Sequence, residues 1–208
     1  MRRDHPLILL FLLCFTIQSC GEEKKALSPT PPKLPSKPKH ELYLEWHNRC
    51  LEGTTSEIDA QITRFEASLR ADNNDQLARV YLGSACALRA KASFWGPTKL
   101  KYLRRGQMLM DQAVEAAPNH PRVRMVRAIA SYKIPKRFGR RKIAIADFEK
   151  LMPVVTQQAS ALQMNERQVI LYYAWLTFKE EGHKDAHEVR STCHHLAPDS
   201  KYGKLTRP

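Results

Sequence analysis

The chain has no apolar run long enough to cross a bilayer. A spanning helix needs about 20 apolar residues, and the longest run here, Pro6 to Ile17, falls short of that. Catalytic signatures are missing as well. There is no G-x-S-x-G, no H-E-x-x-H and no glycine loop to cradle a phosphate. His47 with Cys50, and Cys193-His194-His195, come nearest to a metal-binding spacing, but neither has a spaced second pair of ligands. The sequence therefore calls for no metal and no cofactor, and a divergent hydrolase is the least favoured reading. Cysteines are few. Beyond the first twenty residues only Cys50, Cys86 and Cys193 remain, an odd count that allows at most one bridge. Each lies in an apolar helical pattern, which suits a small buried side chain better than a disulfide scaffold.

What the N-terminus does contain is a three-part pattern. Arg2 and Arg3 carry positive charge, Pro6 to Ile17 are mostly apolar, and the small residue Ser19 precedes Cys20. That is the layout of a secretory signal over residues 1–19. Residues 20–40 follow with five prolines between Gly21 and Lys39 and little that could pack. Proline fixes φ and favours extended polyproline II, so this segment reads as a semi-rigid spacer rising about 3.1 Å per residue.

Ile17-Gln18-Ser19-Cys20 resembles the bacterial lipobox, although Gln18 stands where a small apolar residue is more usual. The resemblance implies that Cys20 is acylated and becomes the first mature residue. It also implies a membrane partner reached through the N-terminal lipid. By analogy with enteric lipoproteins, Gly21 in place of aspartate favours the outer membrane over the inner.

About 165 residues remain, enough for one domain. Apolar residues recur at three- and four-residue spacing over Glu41–Leu51, Ser56–Arg70, Asp75–Ala92, Lys101–Ala117, Pro121–Tyr132, Arg141–Met152, Asn165–Glu181 and Lys184–Leu196. D-N-N-D, A-P-N-H-P, E-G-H and A-P-D-S supply the turns. Val169-Ile-Leu-Tyr-Tyr could be taken for a strand, but it lies inside a long periodic segment without turn residues. The expected class is all-α.

A spacing recurs at the helix ends. Gly106, Ala113 and Pro118 are separated by seven and five residues, as are Ala186, Cys193 and Pro198, and as are Ala60, Ala67 and Asp72. Ala174 lies twelve residues before Ala186, Ala128 sixteen before Ala144, and Gly83 twenty-three before Gly106. The pattern resembles the tetratricopeptide repeat, a helix–turn–helix in which small residues let two helices approach closely. The resemblance implies a solenoid of about four helix pairs over residues 41–203, with residues 204–208 as a tail, because one helix pair cannot bury both its faces and stacked pairs can. It implies a concave face lined by the first helices. Carrying that family's slots over gives Val80 and Leu88, then Arg122, Met125 and Tyr132, then Leu171, Trp175 and Phe178 as a partner-binding groove. A lipid-anchored envelope adaptor for an unknown envelope protein is the function this suggests.

Charge is unevenly spread. The formal net charge is +13, and no acidic residue occurs between Gln76 and Met110. Two insertions, S-F-W-G-P-T-K-L-K-Y and K-I-P-K-R-F-G-R-R-K, concentrate the cations. In stacked pairs these loops would share one edge. The expectation is a basic strip of Lys99, Lys101, Arg104, Arg105, Lys136, Arg137, Arg140 and Arg141 carrying Trp95 and Phe138. Anionic lipid headgroups or an acidic protein surface suit such a strip. Nucleic acid suits the charge too, but a lipid-anchored exported protein rarely meets it. A basic membrane- or cell-wall-associated protein acting through this strip is the alternative function.

Overall fold

Local chemistry starts and stops each helix of this chain. The computed structural model describes residues 37–208; the expected signal segment, Cys20 and the expected linker up to Ser36 lie outside the described residues. The helices are α1 (Lys39–Leu51), α2 (Thr55–Ala71), α3 (Gln76–Ala92), α4 (Gly96–Ala116), α5 (Pro121–Lys133), α6 (Arg141–Thr156), α7 (Met164–Glu181), α8 (Ala186–Leu196) and α9 (Lys201–Leu205), with a 3₁₀ turn at Lys136–Phe138. The described residues contain no strand.

Thr54 opens α2 with a capping box: its backbone N–H donates to Glu57 Oε2 at 2.7 Å, and its hydroxyl accepts from the Glu57 N–H. Asp75 caps α3 by accepting from the Ala78 N–H at 2.9 Å. Its second oxygen accepts from the Tyr43 hydroxyl at 2.9 Å and Lys39 Nζ at 2.7 Å, which ties α1 to the start of α3. Pro97 and Pro121 sit in the first turns of α4 and α5, where a missing N–H costs nothing. Gly182, with φ of 67°, closes α7.

All eight expected helices are present, and three details differ. α4 begins five residues earlier than its periodicity suggests, at Gly96. α6 runs on through Pro153 to Thr156. The C-terminus adds α9, which crosses the expected tail boundary, and Thr206 just beyond it is fully buried.

Consecutive helices pack in pairs, α1 with α2, α3 with α4, α5 with α6 and α7 with α8. Neighbouring pairs also touch through their first members, α1 on α3, α3 on α5 and α5 on α7. One continuous core runs through them, from Tyr43 and Phe65 through Met110 and Phe148 to Phe178 and Cys193. Residues 37–208 form a compact unit of their own around it.

The small residues mostly mark helix contacts. Ala128, Ala144, Ala174, Ala113 and Cys193 are fully buried. Ala60 and Ala67 do not follow the pattern and are exposed. α2 instead buries Ile58, Ile62 and Phe65, so the spacing seen in that helix was coincidental. Cys50, Cys86 and Cys193 are buried free thiols, so no bridge joins any two of them.

Candidate binding groove

The first helices of the four pairs share a face, and that face is concave. A groove of about 780 Å³ is lined by α1, α3, α5 and α7, by the first turns of α4, and by the Pro135–Phe138 turn. α1 contributes Leu44, His47 and Leu51; α3 contributes Tyr81, Ser84 and Leu88. α5 adds Met125, Val126 and Ile129, and α7 adds Glu166, Val169 and Tyr173. The volume is within the usual 300–1,000 Å³ for a ligand site, and the lining is mainly aliphatic and aromatic, with few polar groups.

Those few polar groups are unevenly placed. Lys91, Lys99, Lys133 and Arg137 stand at the edge formed by the C-terminal turns of α3 and α5 and the two loops that follow them. Lys133 Nζ lies 4.7 Å from the Tyr173 ring centre, and the Arg137 guanidinium 5.0 Å from that of Phe138. The acidic residue in the lining is Glu166. It accepts from Arg122 through both oxygens, at 2.7 and 2.9 Å, which joins α5 to α7 and leaves the groove with a cationic rim. Deep in the wall, His47 Nε2 lies 2.8 Å from Ser84 Oγ, with the Tyr81 ring 5.3 Å away. The imidazole is half-buried by accessible surface but hemmed in by the groove walls, and desolvation pushes its pKa down to about 4. Burial likewise pushes the Tyr81 phenol up to about 12.

The sequence-derived groove residues divide. Leu88 and Met125 line the groove. Arg122 braces its wall through Glu166. Tyr132 lies beside it, donating its hydroxyl to Glu180 at 2.7 Å beneath the Arg141 guanidinium. Val80, Leu171 and Phe178 do not face it: they are 0%, 0% and 1% exposed and belong to the core. Trp175 is half-buried between Lys179 and Arg190 and does not line the groove either. Leu44, Leu51, Ile129, Val169 and Tyr173 were missed. One signal could have found part of this set. The residue after the small contact residue faces the groove in α3 (Ser84 after Gly83) and in α5 (Ile129 after Ala128). The same count on α7 gives Trp175 and fails.

The expected basic strip also divides. Its two loops do border one groove, since Gly96 and Lys99 line it together with Arg137 and Phe138. Four of its eight cations are held by carboxylates. Arg105 donates to Glu66 at 2.5 Å, and Arg140 binds Asp111 through both nitrogens at 2.7 and 2.8 Å. Arg141 donates to Glu180 at 2.9 Å, and Lys136 lies 2.8 Å from Glu181. Arg140 and Arg141 are drawn into the fold, at 8% and 15% side-chain exposure, whereas Arg105 and Lys136 are paired but remain more open to solvent. Lys99, Lys101, Arg104 and Arg137 are exposed, with no acidic partner among the described residues.

The two histidine–cysteine clusters do not assemble ligands. His194 Nδ1 is 2.9 Å from the Gly203 carbonyl oxygen, and Cys193 is buried beside Gln168. No group of three His, Cys, Asp or Glu that could hold a metal occurs among the described residues. No described helix is long and apolar enough to cross a membrane. Comparison with protein-family models, with curated proteins and with solved structures finds no match to this chain.

Proposed function

We propose that this chain is a lipid-anchored adaptor of the cell envelope, a tetratricopeptide-like helical-repeat scaffold that holds a segment of a partner protein in its groove. The observation that carries the reading is the groove itself: four successive first helices contribute to one apolar concavity with a cationic rim. Its occupant is a stretch of chain with apolar side chains for the floor and acidic ones opposite Lys91, Lys99, Lys133 and Arg137. The stacking of α1, α3, α5 and α7 on one another supports a repeat architecture, as do the buried small residues at helix contacts. The resemblance of Ile17-Gln18-Ser19-Cys20 to a lipobox and the proline-rich segment after it support a tether to the envelope, with the outer membrane favoured by Gly21.

Site-specific photo-crosslinking in intact cells tests this. A crosslinker at Ile129 or Tyr173 in the groove should capture one protein. A crosslinker at Thr63, on the exposed face of α2, should not. The same adducts from Thr63, or none from either groove position, would remove the groove as the partner site. Cys20→Ser should release the protein from membranes or leave its precursor uncleaved; a variant that is processed and fractionates like wild type refutes the anchor.

A further inference from the structure

The most exposed large apolar side chain among the described residues is Phe94, at 99%, and its neighbour Trp95 is 66% exposed. We propose that this Phe94–Trp95 tip, with the lysines and arginines around it, docks on an anionic bilayer surface. Phe94 and Trp95 do not line the groove, although Lys91, Lys99 and Arg137 belong to its rim as well.

The tip is a built feature rather than a loose loop. It occupies the two positions between Ser93, which caps α3, and Gly96, which opens α4. On one side, Ser93 is buried. Its hydroxyl donates to the Arg89 carbonyl at 2.8 Å and accepts from the Arg89 guanidinium. That guanidinium is fixed in turn by Asp59 at 2.8 Å and by the Tyr102 ring beneath it. On the other side, the Trp95 carbonyl accepts the Lys99 N–H at 3.0 Å, and Pro97 sets the first turn of α4. A turn hydrogen-bonded on both sides therefore presents two aromatic rings to water, against the cost of leaving such surface exposed.

The charge around the tip identifies the occupant. Lys91 and Lys99 stand with Gly96 at the groove mouth, and Lys101 and Arg104 lie further along α4; all four are exposed and without an acidic partner among the described residues. Across the groove mouth, Arg137 and the partly exposed Phe138 continue the combination. The carboxylates that reach this side, Asp59 and Glu66, are held by Arg89 and Arg105. Aromatic rings at the level of the headgroups, with basic residues beside them, match the two components of a membrane interface. An acidic protein surface would match the cations but leave two protruding rings without a complementary pocket.

Residues 37–208 and the full chain provide separate tests. The 37–208 segment should cosediment with vesicles containing phosphatidylglycerol and not with phosphatidylcholine alone. Binding should disappear at about 1 M salt, where the screening length falls to about 3 Å. Phe94→Ala with Trp95→Ala should lower vesicle partition about tenfold or more and leave the melting temperature unchanged. In the full chain reconstituted on the same vesicles, brominated acyl chains should quench Trp95. That contribution is read as the difference between wild type and Trp95→Phe, which subtracts Trp46 and Trp175. The proposal is overturned by binding that ignores the double substitution, by equal binding to neutral vesicles, or by absence of Trp95 quenching. It is overturned too if wild type self-associates without vesicles and the double variant does not, which would assign the tip to a second copy of the chain.

Discussion

Gly83 and Gly106 meet backbone to backbone where α3 crosses α4. A Cβ on Gly83 would lie 2.7 Å from the Gly106 carbonyl oxygen, and one on Gly106 would lie 2.5 Å from the Gly83 carbonyl oxygen. Both obstacles are main-chain atoms, so neither can be moved by a side-chain rotation. Only glycine at both positions lets the helices approach this closely.

The first prediction sets two opposed effects against each other. In an exposed helix Gly→Ala stabilises by about 1 kcal/mol. At Gly106 the forced separation of α3 from α4 should outweigh that gain, since overpacking costs about 1–3 kcal/mol. Gly106→Ala should therefore lower the melting temperature by several degrees. Gly96→Ala is the control, because nothing lies within 4 Å of its added carbon. A Gly106→Ala variant as stable as Gly96→Ala would show that the crossing relaxes freely.

Much of this contact was legible. The sequence pairs Gly83 with Gly106, Ala128 with Ala144 and Ala174 with Ala186, as small residues on the first and second helices of a unit. Apolar periodicity marks eight helices, and D-N-N-D, A-P-N-H-P, E-G-H and A-P-D-S mark turns between them. The α4 start was lost because Gly96-Pro97 reads as a loop, although proline in a first turn is favourable. The faces of α7 were not legible for a different reason. Its apolar residues surround the helix: Leu171 and Phe178 pack into the core while Val169 and Tyr173 face the groove, so no stripe tells the two directions apart. Ion pairing was invisible as well. Asp147 in A-I-A-D-F-E-K looks like an ordinary surface acid, yet it is 0% exposed.

That buried carboxylate gives the second prediction. Asp147 Oδ1 accepts from Arg124 at 2.6 Å and from Arg127 at 2.8 Å, and Oδ2 accepts from Arg127 at 2.8 Å. Arg127 and Arg140 also reach Asp111, so α4, α5 and α6 share one network. Asp147→Asn removes the charge but keeps the shape, and leaves the buried Arg124 uncompensated. A loss of about 3–5 kcal/mol is expected from urea unfolding. A loss below about 1 kcal/mol would mean that the arginines find water or another acceptor.

The third prediction is a pH dependence. His47 is held neutral by burial, with its pKa near 4 in the folded chain against about 6.5 unfolded. Because the folded value is depressed, the unfolded chain binds more protons between these values. The stability linked to His47 is fully present above about pH 6.5 and is lost as pH falls toward 4. Burial also lowers His120, which acts in the same direction. His47→Gln should therefore gain stability relative to wild type as pH drops through this window, read as the difference of their urea midpoints. A difference independent of pH would show that His47 is protonated as easily in the folded state as in water.

The last prediction separates cations that look alike in sequence. Arg140 and Lys99 both sit near an insertion, and nothing in the adjacent residues distinguishes them. Arg140 is 7% exposed and gives two hydrogen bonds to Asp111, whereas Lys99 is exposed beside the groove mouth. Charged hydrogen bonds of this kind contribute about 1.5–3 kcal/mol, while an exposed surface change usually stays within about 0.5 kcal/mol. Lys99→Gln, Lys101→Gln, Arg104→Gln and Arg137→Gln together should leave the unfolding midpoint nearly where it was. Arg140→Gln alone should lower it, by an amount that shrinks when Asp111 is also replaced by asparagine, because the two residues act on each other. A quadruple variant less stable than Arg140→Gln would mean that the exposed lysines and arginines make contacts that hold the fold, and the division between structural and free cations would fail.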